Sequence, residues 1–384
     1  MNLVAPRKTY IGPGSVGNLT RLMMDRCAKR AFLVTDRGVA DAGLVPRASE
    51  ALRGAGMDLS VFDGTEPEPT TDSINAAVKA MQEAGGADVI VSLGGGSVMD
   101  VAKCANAVLM NGGSILDYED GAEGQRPISK LLPHVALPTT AGTGSEATIW
   151  AVFIDPSRRF KTAIQSPDLV PDAAILDPEL TITMPPHVTA GTGMDALTHA
   201  IEAFVSIYAN PLTEALCVKA IELVARNLRT AVADGGDLGA RTNMLIASYM
   251  AGLAFSNSSL GIVHTLAEAM GGYYRIPHGV TNALMLPHVM EFNASATPGR
   301  FATIARLMGE DTGGATTDTA AEMSWRAVRR LSEEVGLPQT LRQVGVRKED
   351  LPGMIAIADK WANLSGNPRD VKREDIEEIY LRAY

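Results

Sequence analysis

The sequence predicts two domains in succession, an α/β domain with a parallel sheet and then an all-helical domain. In the first half, short apolar runs alternate with amphipathic stretches, as strands and helices do in α/β folds. From His187 onward, long segments with helical periodicity are separated only by short Gly, Pro or Asn punctuation. We place the boundary at Met184-Pro185-Pro186, so that residues 1–185 form the first domain and residues 186–384 the second.

The strand candidates of the first domain are short, apolar and rich in β-branched residues, as buried strands are. They are residues 31–35, 59–62, 89–93, 134–137, 151–155 and 173–176. Helical stretches are predicted between them at residues 38–54 and 70–84. In the second stretch, Ile74, Ala77, Val78 and Met81 recur at helical spacing. Strands that alternate with helices predict a parallel sheet covered on both faces.

Composition limits the class of protein. The chain has 384 residues, with 46% hydrophobic and 20% charged residues, which is ordinary for a globular protein large enough for two cores. The net charge of −10 argues against nucleic acid or an anionic membrane as a partner. The three cysteines form no CxxC pair, so the sequence indicates neither a disulfide framework nor a thiolate zinc site. With no apolar leader and no run of about 18 apolar residues, we expect a cytoplasmic protein without a membrane span.

A glycine-rich turn follows the strand at residues 89–93. Gly94, Gly95, Gly96 and Ser97 precede a predicted helix that contains Asp100. Glycines let the backbone approach an anion closely, and the first N–H groups of the helix favour a diphosphate. The turn does not match the GxGxxG dinucleotide fingerprint, so a purely structural tight turn stays an alternative.

A second loop, residues 138–146, is dense in small hydroxyl residues and follows the strand at residues 134–137. Such residues hydrogen-bond phosphate or ribose, but they also cap helices and build turns. Both loops fall at the carboxyl ends of predicted strands, where open α/β sheets bind ligands. Asp36, at the end of another strand, can accept hydrogen bonds from an adenosine ribose or can simply begin a turn.

Four residues of the second domain suit a metal ion. Asp195 and His199 lie four apart in a predicted helix, which places both side chains on one face. His264 lies in the helical segment 261–271, and His278 lies in a predicted turn at residues 276–279. One carboxylate and three imidazoles favour Fe²⁺ or Zn²⁺ over Mg²⁺ or Ca²⁺. A surface Asp–His pair is the alternative. The remaining histidines have no acidic partner at ligand spacing and are interpreted as structural: His134, His187 and His288.

Four segments of this chain resemble the iron-dependent (group III) alcohol dehydrogenases, in that family's order and spacing. They are GGGSVMDVAK at 94–103, PTTAGTGSE at 138–146, GMDALTHAIE at 193–202 and PHGVTNALMLPHVMEFN at 277–293. The resemblance covers nearly the whole chain. It implies a dinucleotide-binding α/β domain and a helical metal-binding domain, on the fold shared with dehydroquinate synthases, with the cofactor in the cleft between them.

The resemblance also implies particular site residues. It carries Asp195, His199, His264 and His278 over as ligands of Fe²⁺, with Zn²⁺ in some branches of the family. The candidate cofactor contacts are Asp36, Gly94, Gly95, Gly96, Ser97, Asp100, Thr139, Thr140, Thr143, Ser145 and Lys161. Asp36 favours NAD(H) over NADP(H), although the adjacent Arg37 could accommodate a 2′-phosphate. Members of the family are commonly homodimers or larger homo-oligomers.

Three further residues are expected to line the substrate pocket by alignment with relatives: Trp150, Phe255 and Asn363. The two bulky rings favour a small or slender substrate, and core packing is the alternative interpretation of both. The chain departs from the family at Glu268, where many relatives carry a second histidine four residues after the third ligand. Glu268 could serve as an acid or base, or it could pair with a nearby cation.

The implied activity is hydride transfer between NAD(H) and a small alcohol or carbonyl compound, with the metal polarising the substrate oxygen. Two alternatives belong to other classes of protein. One is a lyase or cyclase of the dehydroquinate-synthase type, which uses NAD and a metal on the same scaffold. The other is a non-catalytic cofactor-binding protein. A glycerol-dehydrogenase-like zinc polyol enzyme stays within the same reaction class.

Overall fold

The computed structural model describes residues 3–26, 28–158, 160–361 and 366–384. The chain divides into two compact units. The first consists of Met1–Thr140 and Gly144–Thr183, and the second of Ala141–Thr143 and Met184–Tyr384. Three residues of the small-hydroxyl loop therefore belong to the second unit. Nothing in the local sequence pattern predicts this, because the loop is continuous with the strand before it.

The strands of the first unit are β1 (Lys8–Ile11), β2 (Arg30–Val34), β3 (Asp58–Phe62), β4 (Val89–Gly94), β5 (His134–Pro138), β6 (Trp150–Asp155), β7 (Phe160–Gln165) and β8 (Ala173–Leu176). Within the described ranges, six of them form a parallel sheet in the order β1-β8-β5-β4-β2-β3. This confirms the predicted parallel sheet.

Two details of the strands differ from prediction. The predicted strand at residues 151–155 does not join the sheet, because β6 pairs antiparallel with β7 in a separate hairpin. Neither β1 nor β7 was predicted. Their residues are mostly half-buried or exposed, so these strands lack the continuous apolar run by which buried strands are recognised.

Helices cover both faces of the sheet. They are α1 (Asn18–Arg26), α2 (Arg37–Asp41), α3 (Val45–Gly54), α4 (Thr71–Glu83) and α5 (Gly96–Asn111). Phe32 and Ile90 of the sheet pack in one core with side chains of α4 and α5. Their neighbours Leu33 and Val91 pack in a second core with side chains of α1 and α3. This alternation follows from the two-residue period of a strand. The predicted single helix at 38–54 is two helices, because Gly43, between them, has a left-handed φ of 74°.

Within the described residues, the second unit consists of helices joined by loops and contains no strand. Its helices are α6 (Pro186–Val205), α7 (Pro211–Ala233), α8 (Leu238–Ser256), α9 (Ile262–Gly271), α10 (His278–Ala294), α11 (Pro298–Leu307), α12 (Thr317–Glu334), α13 (Leu351–Trp361) and α14 (Arg373–Ala383). Prolines occupy the first turns of α6, α7 and α11, where their missing N–H costs nothing. Among the residues that the structure describes, no helix has both the length and the apolar composition needed to cross a membrane.

The sequence predicts a turn at His278, but in the structure this residue is the first of α10. The carbonyl oxygen of Pro277 accepts a hydrogen bond from the N–H of Thr281, four residues later, at 3.2 Å, so the α-helical pattern starts directly after the proline. Pro and Gly on either side of a histidine are typical of turns. They are equally compatible with a helix start, and the hydrogen bond decides between the two.

Candidate functional site

Three of the four predicted metal ligands form a buried cluster within the second unit. Asp195 and His199 lie one turn apart on α6, and His264 lies in the first turn of α9. One possible ligand atom from each lies within 4.8 Å of the others. Asp195 Oδ1 is 4.0 Å from Nε2 of His199 and 3.9 Å from Nε2 of His264. Ligand atoms that each lie about 2 Å from one tetrahedral ion are about 3.3 Å apart, so the separations here are slightly longer than in a metal-bound set. One carboxylate and two imidazoles are donor types that fit Fe²⁺ or Zn²⁺.

His278, the fourth predicted ligand, lies beside the same cluster. Its ring centroid is 5.4 Å from that of His264. Nδ2 of Asn282, one turn later on α10, is 3.1 Å from Nε2 of each of these two histidines. The same nitrogen donates to Asp195 Oδ1 at 2.7 Å. Asn282 was missed by the sequence reasoning, although its spacing of four from His278 could have indicated it.

The outer nitrogens of two of the predicted ligand histidines also have partners. Nδ1 of His199 lies 3.2 Å from the carbonyl oxygen of Gly142, and Nδ1 of His264 lies 2.5 Å from Glu202 Oε2. A carbonyl or carboxylate oxygen accepts, so each Nδ1 carries the proton and each Nε2 faces Asp195. Acceptors of this kind fix the tautomer and ring orientation of metal-binding histidines. Glu202 was quoted in the motif at 193–202 but was not predicted to be a site residue.

The protonation states of Asp195 and His199 suit a cation. Burial lowers the pKa of His199 to about 4, so its imidazole is neutral at pH 7. Burial opposes ionisation of Asp195, but His199, His278 and His264 hold the pKa of its carboxyl below the usual value. For His264, burial is outweighed by Glu202, which raises the pKa of the imidazole. An ionised carboxylate beside neutral imidazole is the form in which these groups bind a divalent metal.

Two other predicted residues lie near the cluster. The ring of Phe255, on α8, stacks on that of His199, with centroids 4.6 Å apart and an interplanar angle of 27°. Glu268 is exposed on α9, one turn after His264. Its acid or base role stays a prediction. Asn363, the third predicted pocket residue, lies outside the described residues.

The glycine turn of the first unit joins β4 to α5 as predicted. A Cβ atom on Gly94 would lie 2.4 Å from the side chain of Val98, so no other residue fits there. A Cβ on Gly95 would lie 3.3 Å from the side chain of Thr140. Among the described residues, no side chain caps the amino terminus of α5. The N–H groups of its first turn can therefore face an anion such as the predicted diphosphate.

Several predicted cofactor contacts have structural partners of their own. Asp36 caps α2, since its Oδ1 accepts from the N–H of Val39 at 2.9 Å. The turn interpretation of Asp36 is therefore present, and the ribose contact stays a prediction. Lys161 pairs with Glu68, with 2.6 Å between Nζ and Oε2. The backbone N–H of Thr139 donates to the carbonyl of Gly94 and links the two loops.

A buried lysine that was not predicted connects the second loop to α5. Nζ of Lys103 lies 2.7–3.1 Å from carbonyl or hydroxyl oxygens of Ser145, Thr148 and Trp150. Ser145 Oγ in turn donates to Asp100 Oδ1 at 2.9 Å. Burial lowers the pKa of Lys103 to about 8 and raises that of Asp100 to about 6. Lys103 is the last residue of the motif at 94–103, and nothing else in the sequence indicated a role for it.

Comparison with known proteins covers both units. The family model described as iron-containing alcohol dehydrogenase matches residues 6–178, and that described as Fe-containing alcohol dehydrogenase family, C-terminal, matches residues 189–384. The 1,3-propanediol dehydrogenase of Citrobacter freundii is 42% identical over 99% of this chain and 98% of its own length. The lactaldehyde reductase of Escherichia coli K12 is 39% identical over 100% and 99%.

Solved structures give the same comparison. A crystal structure of 1,3-propanediol oxidoreductase matches with a TM-score of 0.95 and 41% identity, over 100% of this chain and 99% of that one. An alcohol dehydrogenase from Oenococcus oeni matches with a TM-score of 0.95 and 39% identity, over the full length of both chains. The fold expected from the sequence is thereby confirmed.

Proposed function

Because the chain belongs to the iron-containing alcohol dehydrogenase family, we propose that it is a metal-dependent oxidoreductase that interconverts a small alcohol and its carbonyl partner with NAD(H). The observation that carries this proposal is the buried cluster of Asp195, His199 and His264, with His278 beside it. A buried carboxylate among imidazoles is costly to fold, and buried charges of this kind are either paired or coordinate a metal.

Each part of the chain has a separate task in this proposal. The bound metal, Fe²⁺ or alternatively Zn²⁺, supplies Lewis-acid polarisation of the substrate oxygen, and NAD(H) supplies or accepts the hydride. Asp195, His199, His264 and His278 would hold the metal. The first turn of α5 would hold the cofactor diphosphate, and Asp36 would disfavour the 2′-phosphate of NADP(H).

The substrate class follows from Phe255 and from the relatives. The ring of Phe255 covers one face of His199, so it bounds the space beside the metal cluster. Relatives are named for 1,3-propanediol, lactaldehyde and methanol. We therefore propose short-chain alcohols and hydroxyaldehydes as substrates, bound beside Phe255.

The test combines metal analysis with turnover. Protein purified anaerobically is analysed for metal content and assayed by NADH oxidation with a panel of short aldehydes that includes hydroxyaldehydes. We expect about one Fe²⁺ or Zn²⁺ per chain, loss of turnover after chelation, and recovery when either metal is restored. Asp195→Asn should remove both the metal and the turnover. Full turnover by protein that is verified to be metal-free would overturn the proposal.

A further inference from the structure

The structure assigns Glu202 a role that its place in the motif at 193–202 did not indicate: a positioning residue that holds His264 so that Nε2 of this candidate ligand faces Asp195. Gly261 contributes to the same arrangement, because the absence of a side chain there leaves space for the Glu202 carboxylate. This inference rests on the proposed metal-dependent function. Glu202 is not itself proposed as a ligand.

Both carboxylate oxygens of Glu202 contact the first turn of α9. Oε2 accepts from Nδ1 of His264 at 2.5 Å, and Oε1 accepts from the N–H of Val263 at 2.6 Å. The first N–H groups of a helix have no acceptor within the helix, and a negative charge is favoured at that end. The residue at the cap position of α9, Gly261, has no side chain to fill this role. Glu202 of α6 therefore caps a different helix and orients a histidine on that helix at the same time.

Glycine is needed at position 261 because of the limited space around it and not because of its backbone conformation. Its φ of −109° is one that any residue adopts, so glycine is not required by the backbone. A Cβ atom at this position, however, would lie 2.8 Å from Oε1 of Glu202 and 3.1 Å from Oδ1 of Asn367. The first of these distances is shorter than real Cβ contacts. Any side chain here would push the Glu202 carboxylate away from α9.

Capping of α9 accounts for only one of the two contacts of the buried Glu202 carboxylate. The residue is only 3% exposed. In the part of the chain that the structure describes, no lysine or arginine pairs with it, and its ion-pair partner is His264. A buried carboxylate without a fixed cation is destabilising. The same carboxylate, however, holds the proton of His264 on Nδ1 and leaves the Nε2 lone pair to the metal, which makes the imidazole a better ligand.

The test measures metal affinity directly. Metal-free wild-type protein and the variants Glu202→Gln, Glu202→Asp and Gly261→Ala are titrated with Zn²⁺ against a chromophoric chelator. A glutamine cannot accept both hydrogen bonds through one amide group, so we expect the Zn²⁺ Kd of E202Q to rise about 10- to 100-fold. G261A should also raise the Zn²⁺ Kd, although this substitution changes no charge. E202D keeps the charge on a shorter arm, and its Kd should lie between those of wild type and E202Q.

Visible spectra of the Co²⁺-loaded proteins separate positioning from a merely structural role. If Glu202 orients His264, the ligand-field bands of E202Q and G261A shift relative to those of wild type. Glu377→Gln is the matched control, since it makes the same change on the exposed face of α14, and its Kd and spectrum should equal those of wild type. Should E202Q fail to fold, E202D and G261A carry the same comparison.

The outcomes distinguish this inference from the function on which it rests. Unchanged Zn²⁺ Kd values and Co²⁺ spectra in the folded variants, with only a lower unfolding temperature, would overturn the role of Glu202. Wild-type protein that binds no metal, or that turns over without it, would overturn the proposed function itself. Weakened metal binding in E202Q and G261A, with E377Q unaffected, would establish the positioning role.

Discussion

The carbonyl oxygen of Gly142 accepts a hydrogen bond from Nδ1 of His199, with 3.2 Å between the two atoms. Gly142 lies in the small-hydroxyl loop for which the sequence indicated cofactor binding. In the structure, its backbone contacts a predicted metal ligand within the second unit, and the cofactor role of the loop stays a prediction. The two predicted sites thus share one loop, and the position of its backbone bears on the metal cluster.

We expect Gly142→Ala to weaken metal binding about tenfold. A Cβ atom there would lie 2.7–2.9 Å from the side chain and backbone of Thr192, so the loop must shift and take the carbonyl away from His199. The measurement is the Zn²⁺ Kd of the metal-free protein. The control is Gly17→Ala, where an added Cβ meets nothing within 4 Å. A folded G142A protein with the wild-type Kd would contradict this prediction.

Phe255→Leu is expected to change substrate preference. The ring covers His199, and leucine is shorter and cannot stack, so space opens beside the cluster. We expect kcat/KM for longer aldehydes to rise relative to that for acetaldehyde, by about threefold to tenfold or 1 kcal/mol. The control is Phe301→Leu, the same change in a fully buried residue of α11. An equal profile in both variants would mean that Phe255 is a core residue only.

The same aldehyde series tests Trp150, a half-buried residue at the start of β6. Trp150→Ala should broaden the substrate range if the ring lines the pocket. A profile identical to that of wild type would remove Trp150 from the proposed pocket.

Asp36→Asn is expected to raise the use of NADPH relative to NADH by about tenfold. Asparagine keeps the capping oxygen that accepts from Val39, so α2 stays capped while the negative charge is lost. The measurement is the ratio of kcat/KM for the two cofactors. Asp237→Asn serves as control, since it makes the same change at the cap of α8 and should leave the ratio unchanged. A D36N ratio equal to that of wild type would leave Asp36 as a cap alone.

Lys103→Met should destabilise the protein by about 3 kcal/mol. The change leaves the carbonyl oxygens of Ser145, Thr148 and Trp150 without their buried donor, and it removes the cation near Asp100 and Glu146. The measurement is the urea midpoint, with the exposed Lys130→Met as control. Equal midpoints for the two variants would show that the buried ammonium does not hold the loop.

Local sequence patterns correctly predicted those structural features that a single segment of the chain forms by itself. The pairing of Asp195 with His199 follows from the period of one helix, and the turn at Gly94 follows from its place after a strand. The exceptions are instructive. The strand β6 has an apolar pattern, yet its partner β7 places it outside the parallel sheet. His278 carries turn residues on both sides, yet backbone hydrogen bonds make it the start of a helix.

The sequence by itself determined the class of the two domains and the family and indicated four candidate ligands, because periodicity, glycine placement and motif order are local properties of the chain. Only the tertiary structure decided which groups contact those candidates. Glu202 reaches His264 across 62 residues, Asn282 reaches Asp195 across 87, and Lys103 reaches Ser145 across 42. A hydrogen bond depends on distances of about 3 Å between such residues. Packing of the helices and loops sets these distances, and no spacing along the sequence encodes them.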